Sequence, residues 1–506
     1  MTVMDLDEFL HYGTAAPRQR PWPRAIVTTS IWNEAIAGLV EGSWQLLGLW
    51  GEAACIHMAL LDEAKGTIGV ITLDCPERRY PSVGMHHAPA LRLERAICDL
   101  YGLEAEAPLD PRPWLDHGNW DVRHPLAARP EPPTIGKSYT FLPVDGAGVH
   151  QIPVGPVHAG IIEPGHFRLT ANGETVVRLE TRLGYVHKGI EGLMAGADAA
   201  EAARLAARCS GDSTVAYGLV FARAVEAALD VEAPPRAHWL RALMAEIERL
   251  ANHLGDFGAI CNDASFALML AHCGVLREKV LRAAHKTFGH RLMRDRIVPG
   301  GVTMDIDAEG IGAIRSLVSE TRARFPALVE LYDNTASLQD RTVTTGTVKP
   351  DLARQYAAGG FIGRASGRSF DARRNLAYPP YDRLDFEVPM LDAGDVNARV
   401  WIRIREIEQS LSLVTQLLER MPRGEVTIDL PVAGETREGM ALVGGFRGDV
   451  LVWLRLNDDN SIAHCHFRDP SQFQWPLVEA AIEDNIVADF PLCNKSFNCS
   501  YSGHDL

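Results

Sequence analysis

Three short segments carry side chains that could bind an ion or a phosphate group. Gly136-Lys137-Ser138 has the ending of a phosphate-binding loop, but Glu131 stands where that loop needs its first glycine, so we interpret the segment as a linker turn. His86 and His87 are adjacent, an arrangement that rarely lets two rings reach one ion, so they predict a solvated loop. The segment Arg364–Arg374 (RASGRSFDARR) could clamp an anion or an acidic partner, or pair with carboxylates of its own chain. The sequence leaves these two alternatives open.

Motifs of several enzyme classes are missing. No Gly-x-Gly-x-x-Gly opens a helix after a strand, so a dinucleotide would have to bind another chain. His-Glu-x-x-His and Gly-x-Ser-x-Gly are absent, which argues against common hydrolases. The nine cysteines form no Cys-x-x-Cys pair, which indicates a reducing compartment. With 65 Asp+Glu against 50 Lys+Arg, the net charge of −15 argues against nucleic acid or anionic lipid as the main partner.

The elements that must position such side chains fall into two parts with a linker between them. In the first part, the apolar runs Cys55–Leu61 and Thr67–Leu73 predict a β-hairpin. Ala90–Tyr101 predicts a helix that Gly102 ends. Seven prolines in the 27 residues 107–133 predict an extended linker, and its tryptophans indicate that it packs against the protein.

The second part is predicted to be mostly helical. Apolar residues recur every three or four positions in His238–Cys261 and in Val396–Met421, as in the seam of a helical bundle. Ser213–Leu229 and Gly274–Phe288 are the expected partner helices. Two hairpins are predicted around the bundle, in Phe167–Leu179 and in Val450–Leu456 with Ile462–Phe467. The predicted class is α+β, a small α/β N-terminal domain followed by a mainly helical-bundle domain with peripheral hairpins.

Membrane association is expected only through partner subunits. The most apolar stretch, Ala264–Leu276, is shorter than a membrane span and is interrupted by His272. Met1–Pro23 carries three acidic residues and lacks the apolar core of a secretory signal.

Long motifs in both parts resemble known families. The second part resembles the large-subunit family shared by membrane-bound, energy-converting nickel–iron hydrogenases and the 49-kDa quinone-site subunit of respiratory complex I. Its matching motifs are Gly155–Leu169 (GPVHAGIIEPGHFRL), Leu179–Gly192 (LETRLGYVHKGIEG), Glu246–Cys261 (EIERLANHLGDFGAIC), Pro299–Val302 (PGGV), Arg364–Gly367 (RASG) and Arg468–Ser471 (RDPS). The first part resembles the 30-kDa subunit of complex I through Tyr80–Val83 (YPSV), Arg92–Gly102 (RLERAICDLYG) and Arg112–Trp120 (RPWLDHGNW).

The resemblance implies a domain division and a set of partners. Residues 1–106 would be the 30-kDa-like domain, 107–140 the linker and 141–506 the 49-kDa-like domain, fused in the order seen in formate-hydrogenlyase-type large subunits. The implied partners are an iron–sulfur small subunit and antiporter-like membrane subunits, with no nucleic acid. The implied location is the cytoplasm, at the cytoplasmic face of the bacterial inner membrane.

Hydrogenases of this family hold nickel and iron with four thiolates from two Cys-x-x-Cys pairs. Aligned on Arg208 and Glu226, the first pair falls on Ser210 and Ser213, with Cys209 one residue out of register. The best placement of the second pair gives Cys499 and Ser502. Because a serine hydroxyl is a poor nickel ligand, the resemblance implies a degenerate site without metal, in which Cys499 is the one thiolate in register.

Without metal, the same fold in complex I forms the inner end of a quinone cavity beside an iron–sulfur cluster of a neighbouring subunit. The resemblance places six residues around such a cavity, two of them as catalytic groups (His158 and Asp212) and four as vestigial cofactor positions (Ser210, Ser213, Cys499 and Ser502). His158 would donate a hydrogen bond and a proton to a quinone carbonyl, with His166 as the other candidate, and Asp212 would relay protons. The chain itself would carry no cofactor. Two other functions stay open: a nickel–iron hydrogenase with unusual ligands, and a non-catalytic scaffold.

Overall fold

The computed structural model describes residues 5–133 and 139–506. Within them the predicted α+β class is confirmed, with helices and several small sheets along the chain. Gly136-Lys137-Ser138, interpreted above as a linker turn, lies outside the described residues. In the part of the chain that the structure describes, no helix is long and apolar enough to cross a membrane.

The N-terminal segment is an α/β layer. Its elements are α1 (Leu6–Leu10), β1 (Thr14–Ala15), β2 (Gln19–Arg20), β3 (Arg24–Val27), α2 (Thr29–Val40), β4 (Gln45–Gly51), β5 (Cys55–Asp62), β6 (Thr67–Asp74), β7 (Arg79–Pro81), α3 (Leu91–Tyr101) and β8 (Glu104–Glu106). Five strands form one sheet in the order β1-β3-β6-β5-β4. The predicted hairpin is the antiparallel pair β5–β6, and the predicted helix is α3, which Gly102 ends in the left-handed conformation at φ 65°.

The linker packs against the protein, as its tryptophans predict. Trp114 is buried, and the guanidinium groups of Arg92 and Arg95 lie 4.6 and 4.7 Å from its ring centroid. Beyond the linker come β9 (Val149–Val154), β10 (His166–Asn172) and β11 (Thr175–Arg182), a three-stranded antiparallel sheet in the order β11-β10-β9. Its β10–β11 pair is the predicted first hairpin, and the β9–β10 loop carries His158.

Helices dominate the middle of the chain. The elements are α4 (Ile190–Met194), α5 (Ala199–Ala206), α6 (Thr214–Leu229), α7 (Pro235–Asp263), α8 (Ala267–Phe288), β12 (Ile297–Val298), β13 (Gly301–Val302), α9 (Ala308–Asp333), α10 (Ala336–Thr342), α11 (Pro350–Gln355), α12 (Gly360–Ala365), α13 (Ala372–Asn375) and α14 (Val396–Arg420). The two predicted seams lie on α7 and α14, which pack against each other, and α8 packs on α7. The predicted bundle is confirmed.

A four-stranded sheet closes the chain. Its strands and the helices after them are β14 (Arg437–Gly444), β15 (Asp449–Leu456), β16 (Ile462–Arg468), α15 (Ser471–Ile482), α16 (Phe490–Phe497) and α17 (Tyr501–Asp505). The β15–β16 pair is the predicted second hairpin. The fourth strand is β2 from the N-terminal segment, which pairs in parallel with β14. The two parts of the chain therefore share a sheet, while the domain limits 1–106, 107–140 and 141–506 stay a prediction.

Candidate functional site

The first predicted pair, Ser210 and Ser213, stands at the entrance to α6. Residues 211–213 form one turn of 3₁₀ helix before Thr214 begins the α-helix. The first amides of α6 have no partner in the helix itself. Glu248 of α7 supplies one, because its two carboxyl oxygens accept hydrogen bonds from Val215 N at 2.7 Å and Ala216 N at 3.2 Å. These bonds hold the serine segment against α7.

Asp212 is the centre of a polar cluster at this point. Its Oδ1 accepts hydrogen bonds from the hydroxyls of Ser210 at 2.9 Å and Ser213 at 3.2 Å. Arg447, in the turn between β14 and β15, donates to Oδ2 at 2.6 Å, to Oδ1 at 3.2 Å and to the Ser213 hydroxyl at 3.0 Å. Such a two-pronged arginine–carboxylate pair fixes both side chains. The Arg447 side chain is 3% exposed and that of Asp212 is 37% exposed, so the carboxylate faces outward.

The C-terminal partner of this cluster is Ser500, not Cys499 or Ser502. The Ser500 hydroxyl lies 2.9 Å from that of Ser210 and accepts a hydrogen bond from Gly503 N, which makes Ser500 the N-cap of α17. The Ser502 side chain is half-buried, and its amide donates to Glu163 of the β9–β10 loop at 3.0 Å. The predicted pair, Cys499 and Ser502, is therefore one residue out of register. Ser500, which contacts Ser210, is three residues from Gly503, as Ser210 is from Ser213.

Cys209 and Cys499 are next to cluster serines in the sequence, but neither belongs to the cluster. Cys499 packs in an apolar group with Trp475 and Phe497, and the Cys209 thiol points to Leu205 O at 4.0 Å. Burial raises the pKa of both thiols well above the usual value, so both stay protonated and neutral.

The donor set does not fit a nickel–iron centre. Such a centre needs soft thiolate ligands. The groups that face one another are the three hydroxyls of Ser210, Ser213 and Ser500 and the carboxylate of Asp212, which is paired with the permanently charged Arg447. This arrangement can bind and move protons and can stabilise a developing negative charge.

The pKa values of two neighbouring carboxyl groups, Asp212 in the cluster and Glu248 beside it, are shifted in opposite directions. Burial alone would raise the pKa of Asp212, but Arg447 and the two serine hydroxyls lower it below the usual value, so Asp212 stays ionised. Burial raises the pKa of Glu248 to about 8, against the effect of the two amides bound to it, so Glu248 carries a proton at neutral pH. Asn252 joins them by donating to the backbone oxygens of both Asp212 and Glu248, at 2.8 and 2.9 Å.

Asp212 and Glu248 also share a small cavity. Asp212, Glu248 and Asn252 all line it, and its volume of about 20 Å³ is room for one water molecule.

His158 lies on the β9–β10 loop. Its Nε2 is 2.8 Å from Gly165 O, and its ring is 5.8 Å from that of Phe167. The same loop reaches the C-terminal helix through Glu163 and Ser502. The structure thus places His158 on a neighbouring loop, while it gathers Ser210, Asp212 and Ser213 directly. His166, the other candidate, is buried at the start of β10, with its Nδ1 3.3 Å from Gly155 O.

The other two segments of interest are structural. In Arg364–Arg374 three of the four arginines pair with carboxylates of the same chain: Arg364 with Glu406 and Asp371, Arg368 with Glu63, and Arg373 with Glu246 and Asp371. The second alternative is therefore the correct one. His86 is exposed as expected, but the prediction of a solvated loop is wrong for His87, which is buried before a short 3₁₀ helix. Burial lowers the pKa of His87 to about 4.

Sequence reasoning missed three residues of the cluster. Ser500 is three residues from Gly503, but Cys499 is equally three residues from Ser502, so spacing alone does not distinguish the two pairs. Glu248 lies inside the motif Glu246–Cys261, but nothing in the sequence distinguishes it from its neighbours. Arg447 is 235 residues from Asp212 along the chain, so only the fold brings the two together.

Two family models match the chain. Residues 264–441 match the model described as the 49-kDa subunit of respiratory-chain NADH dehydrogenase. Residues 188–261 match the model described as nickel-dependent hydrogenase.

Curated relatives cover most of the chain. Hydrogenase-4 component G of Escherichia coli is 31% identical over 448 residues, 86% of this chain and 77% of the relative. Formate hydrogenlyase subunit 5 of the same organism is 29% identical over 466 residues, 88% of this chain and 81% of the relative. The C/D component of the NADH-quinone oxidoreductase of Phocaeicola vulgatus is 26% identical over 458 residues, 85% of this chain and 88% of the relative.

Proposed function

Because this chain belongs to the family that unites the 49-kDa subunit of respiratory NADH dehydrogenase with the large subunits of nickel-dependent hydrogenases, we propose that it is a subunit of a membrane-associated oxidoreductase complex and works without a nickel–iron centre. Its substrate in this proposal is a quinone-type acceptor. The observation that carries the proposal is the Ser210–Asp212–Arg447 cluster, whose groups suit proton transfer and anion binding rather than nickel.

The overall reaction is the reduction of a quinone by two electrons and two protons to a quinol. The two electrons would come from an iron–sulfur cluster in a neighbouring subunit. Arg447 stabilises the negative charge that develops on the acceptor oxygen as electrons arrive, because its guanidinium stays charged at any working pH. Of the two protons, one comes from Glu248, which is protonated at neutral pH, and reaches the acceptor through Asp212, which lines the same small cavity. His158 on the β9–β10 loop supplies the other.

The exposed side of the cluster is suited to a partner. Val157, Ile161 and Ile162 on the β9–β10 loop are large aliphatic side chains that the chain by itself leaves exposed. An exposed apolar patch of this kind marks a protein contact or a hydrophobic ligand. We assign it to the iron–sulfur subunit, which would close an acceptor cavity between this loop and the cluster, with His158 at its rim. The antiporter-like membrane subunits and the cytoplasmic membrane face belong to the same proposal.

The test uses the intact complex purified from nickel-supplemented cells. Nickel per chain is measured together with the reduction of a short-chain ubiquinone analogue. We expect nickel at background and a loss of turnover of at least about tenfold in Asp212→Asn. The matched control is Asp230→Asn at the opposite, exposed end of α6, where φ is 56° and asparagine fits as well as aspartate.

Three results would separate the proposal from its rivals. One nickel per chain would restore the hydrogenase function. Unchanged turnover in both Asp212→Asn and His158→Ala would show a scaffold. If Glu248 supplies the proton, Glu248→Gln removes the titrating group and shifts or abolishes the alkaline limb of the pH–rate profile. A merely structural role of Glu248 would not produce this change.

A further inference from the structure

A second cluster of ligating side chains, separate from the serine cluster, lies on the β4–β5 hairpin. Glu52 follows β4, and its amide pairs with Cys55 O at 2.9 Å to close the turn. Cys55 and His57 are two residues apart on β5, so their side chains share one face of the sheet. The carboxylate, the thiol and the imidazole thereby converge, with their ligating atoms all within 4.8 Å of one another.

The separations of the three atoms match those around one tetrahedral ion. Zinc holds sulfur at about 2.3 Å and nitrogen or carboxylate oxygen at about 2.0–2.1 Å, so tetrahedral angles place sulfur about 3.5 Å from either light atom and nitrogen about 3.3 Å from oxygen. The structure has Cys55 Sγ 3.5 Å from His57 Nε2 and 3.4 Å from Glu52 Oε2, and His57 Nε2 3.3 Å from Glu52 Oε2.

The surroundings hold two of these ligands in the required orientation. His57 Nδ1 lies 2.8 Å from Thr72 Oγ1, which leaves Nε2 directed at the cluster. Arg455 on β15 binds Glu52 from outside, at 2.7 Å to Oε1 and 3.1 Å to Oε2. Outer partners of this kind orient the ligands of metal sites.

From this geometry we propose that Glu52, Cys55 and His57 bind one zinc ion. Because Glu52 and Cys55 are only half-buried, solvent can supply the fourth ligand. Binding exchanges the thiol proton for the ion and releases that proton to solvent. Since Arg455 belongs to the C-terminal sheet, the ion would stiffen the junction between the two parts of the chain. This site is independent of the quinone proposal, and a zinc count is distinct from a nickel count.

The test is made on the purified full-length chain. After dialysis against zinc and then against buffer, metal is counted by mass spectrometry in the wild type, in Cys55→Ser and in Cys98→Ser. Cys98 is the matched control, a half-buried cysteine on α3 outside the cluster. We expect one zinc per chain in the wild type and the control, and at least about tenfold less in Cys55→Ser. Cobalt(II) in place of zinc should give a thiolate charge-transfer band that Cys55→Ser lacks.

Two outcomes would overturn the proposal: zinc at background in the wild type, or equal zinc in Cys55→Ser. In the first case the three side chains are simply hydrogen-bonded to one another. If Cys55→Ser fails to fold, Thr72→Val replaces it, because removal of the partner of His57 should weaken zinc binding about 10–100-fold. Unchanged zinc affinity in Thr72→Val would then contradict the proposal.

Discussion

Glu248→Gln is expected to stabilise the protein, and increasingly so as the pH rises. In the folded chain burial raises the pKa of Glu248 from 4.5 to about 8. The unfolded chain therefore loses this proton first, so between these two pH values the free energy of unfolding falls by up to about 1.4 kcal/mol per pH unit through this one group. Between pH 5 and pH 8 the sum is about 3 kcal/mol. Glutamine carries no charge and escapes this loss.

The assay is urea unfolding of the full-length chain, followed by tryptophan fluorescence at pH 5, 6, 7 and 8. The difference in unfolding free energy between Glu248→Gln and the wild type should grow with each step in pH. At pH 5 it should be close to zero or negative, because glutamine can accept from only one of the two amides that the carboxyl group binds. A difference that does not change with pH would refute the high pKa of Glu248 and its role as proton source.

Glu246→Gln, two residues earlier on α7, is the matched control, because the pKa of Glu246 is shifted in the opposite direction from that of Glu248. Burial alone would raise the pKa of Glu246, but Arg373 and Arg249 lower it below the usual value. Ser410 and Tyr381 also donate to its carboxylate, at 2.6 and 2.8 Å. The stability that the ionised Glu246 provides is present above the ordinary glutamate pKa and disappears as the pH falls below it. At pH 7 the substitution should therefore cost about 3–5 kcal/mol, since it removes one of the two buried carboxylates that pair with each of Arg373 and Arg249.

Three further experiments test the packing of the fold. Gly439→Ala should lower the free energy of unfolding by several kcal/mol in a melting experiment, because the added Cβ would lie 1.9 Å from Ala224 O of α6. Its control is Gly312→Ala on α9, whose Cβ meets only open space, and which should be neutral or stabilise the protein by up to about 1 kcal/mol. Glu406→Gln should cost about 3–5 kcal/mol, because the buried carboxylate holds two arginines and a histidine, and a loss below about 1 kcal/mol would contradict the network. Cys499 should resist alkylation by iodoacetamide in the native protein at pH 8, as peptide mapping can show, since its thiol is buried and its pKa is raised.

Local patterns predicted most elements of the fold. The hairpin β5–β6, the helix α3 and the long helices α7 and α14 follow from apolar periodicity and from a glycine stop, which act over a few residues. The pairing of β2 with β14 could not be predicted in this way. It joins a strand of only two residues, Gln19–Arg20, to a strand more than 400 residues later. So short a strand shows no alternation of apolar and polar residues. Its position is set by tertiary contacts, such as the bond from Trp453 Nε1 to Gln19 Oε1 at 3.0 Å.

For the candidate site, the sequence gives a clearer register for the pair before α6 than for the pair near the C-terminus. Ser210 and Ser213 are anchored between Arg208 and Glu226, so their register follows without a gap. The C-terminal segment has three serines and two cysteines close together, and the thiol of Cys499 favoured an alignment one residue away from the geometry. Only the hydrogen bond between the hydroxyls of Ser500 and Ser210 reveals the register that the fold uses.

The hydroxyls of the cluster form a consistent set of donors and acceptors, which bears on whether the site still works. Gly503 N donates to Ser500, the Ser500 hydroxyl can donate to that of Ser210, and Ser210 donates to Asp212. Arg447 donates to Ser213, which donates to the same carboxylate. A scaffold that had merely lost its thiolates would have no reason to place a carboxylate and a protonated Glu248 beside one small cavity. It could fill the space with apolar side chains, which often costs no stability. The presence of a partly exposed, ionised carboxylate tied to a buried arginine therefore favours a site for proton transfer over a scaffold.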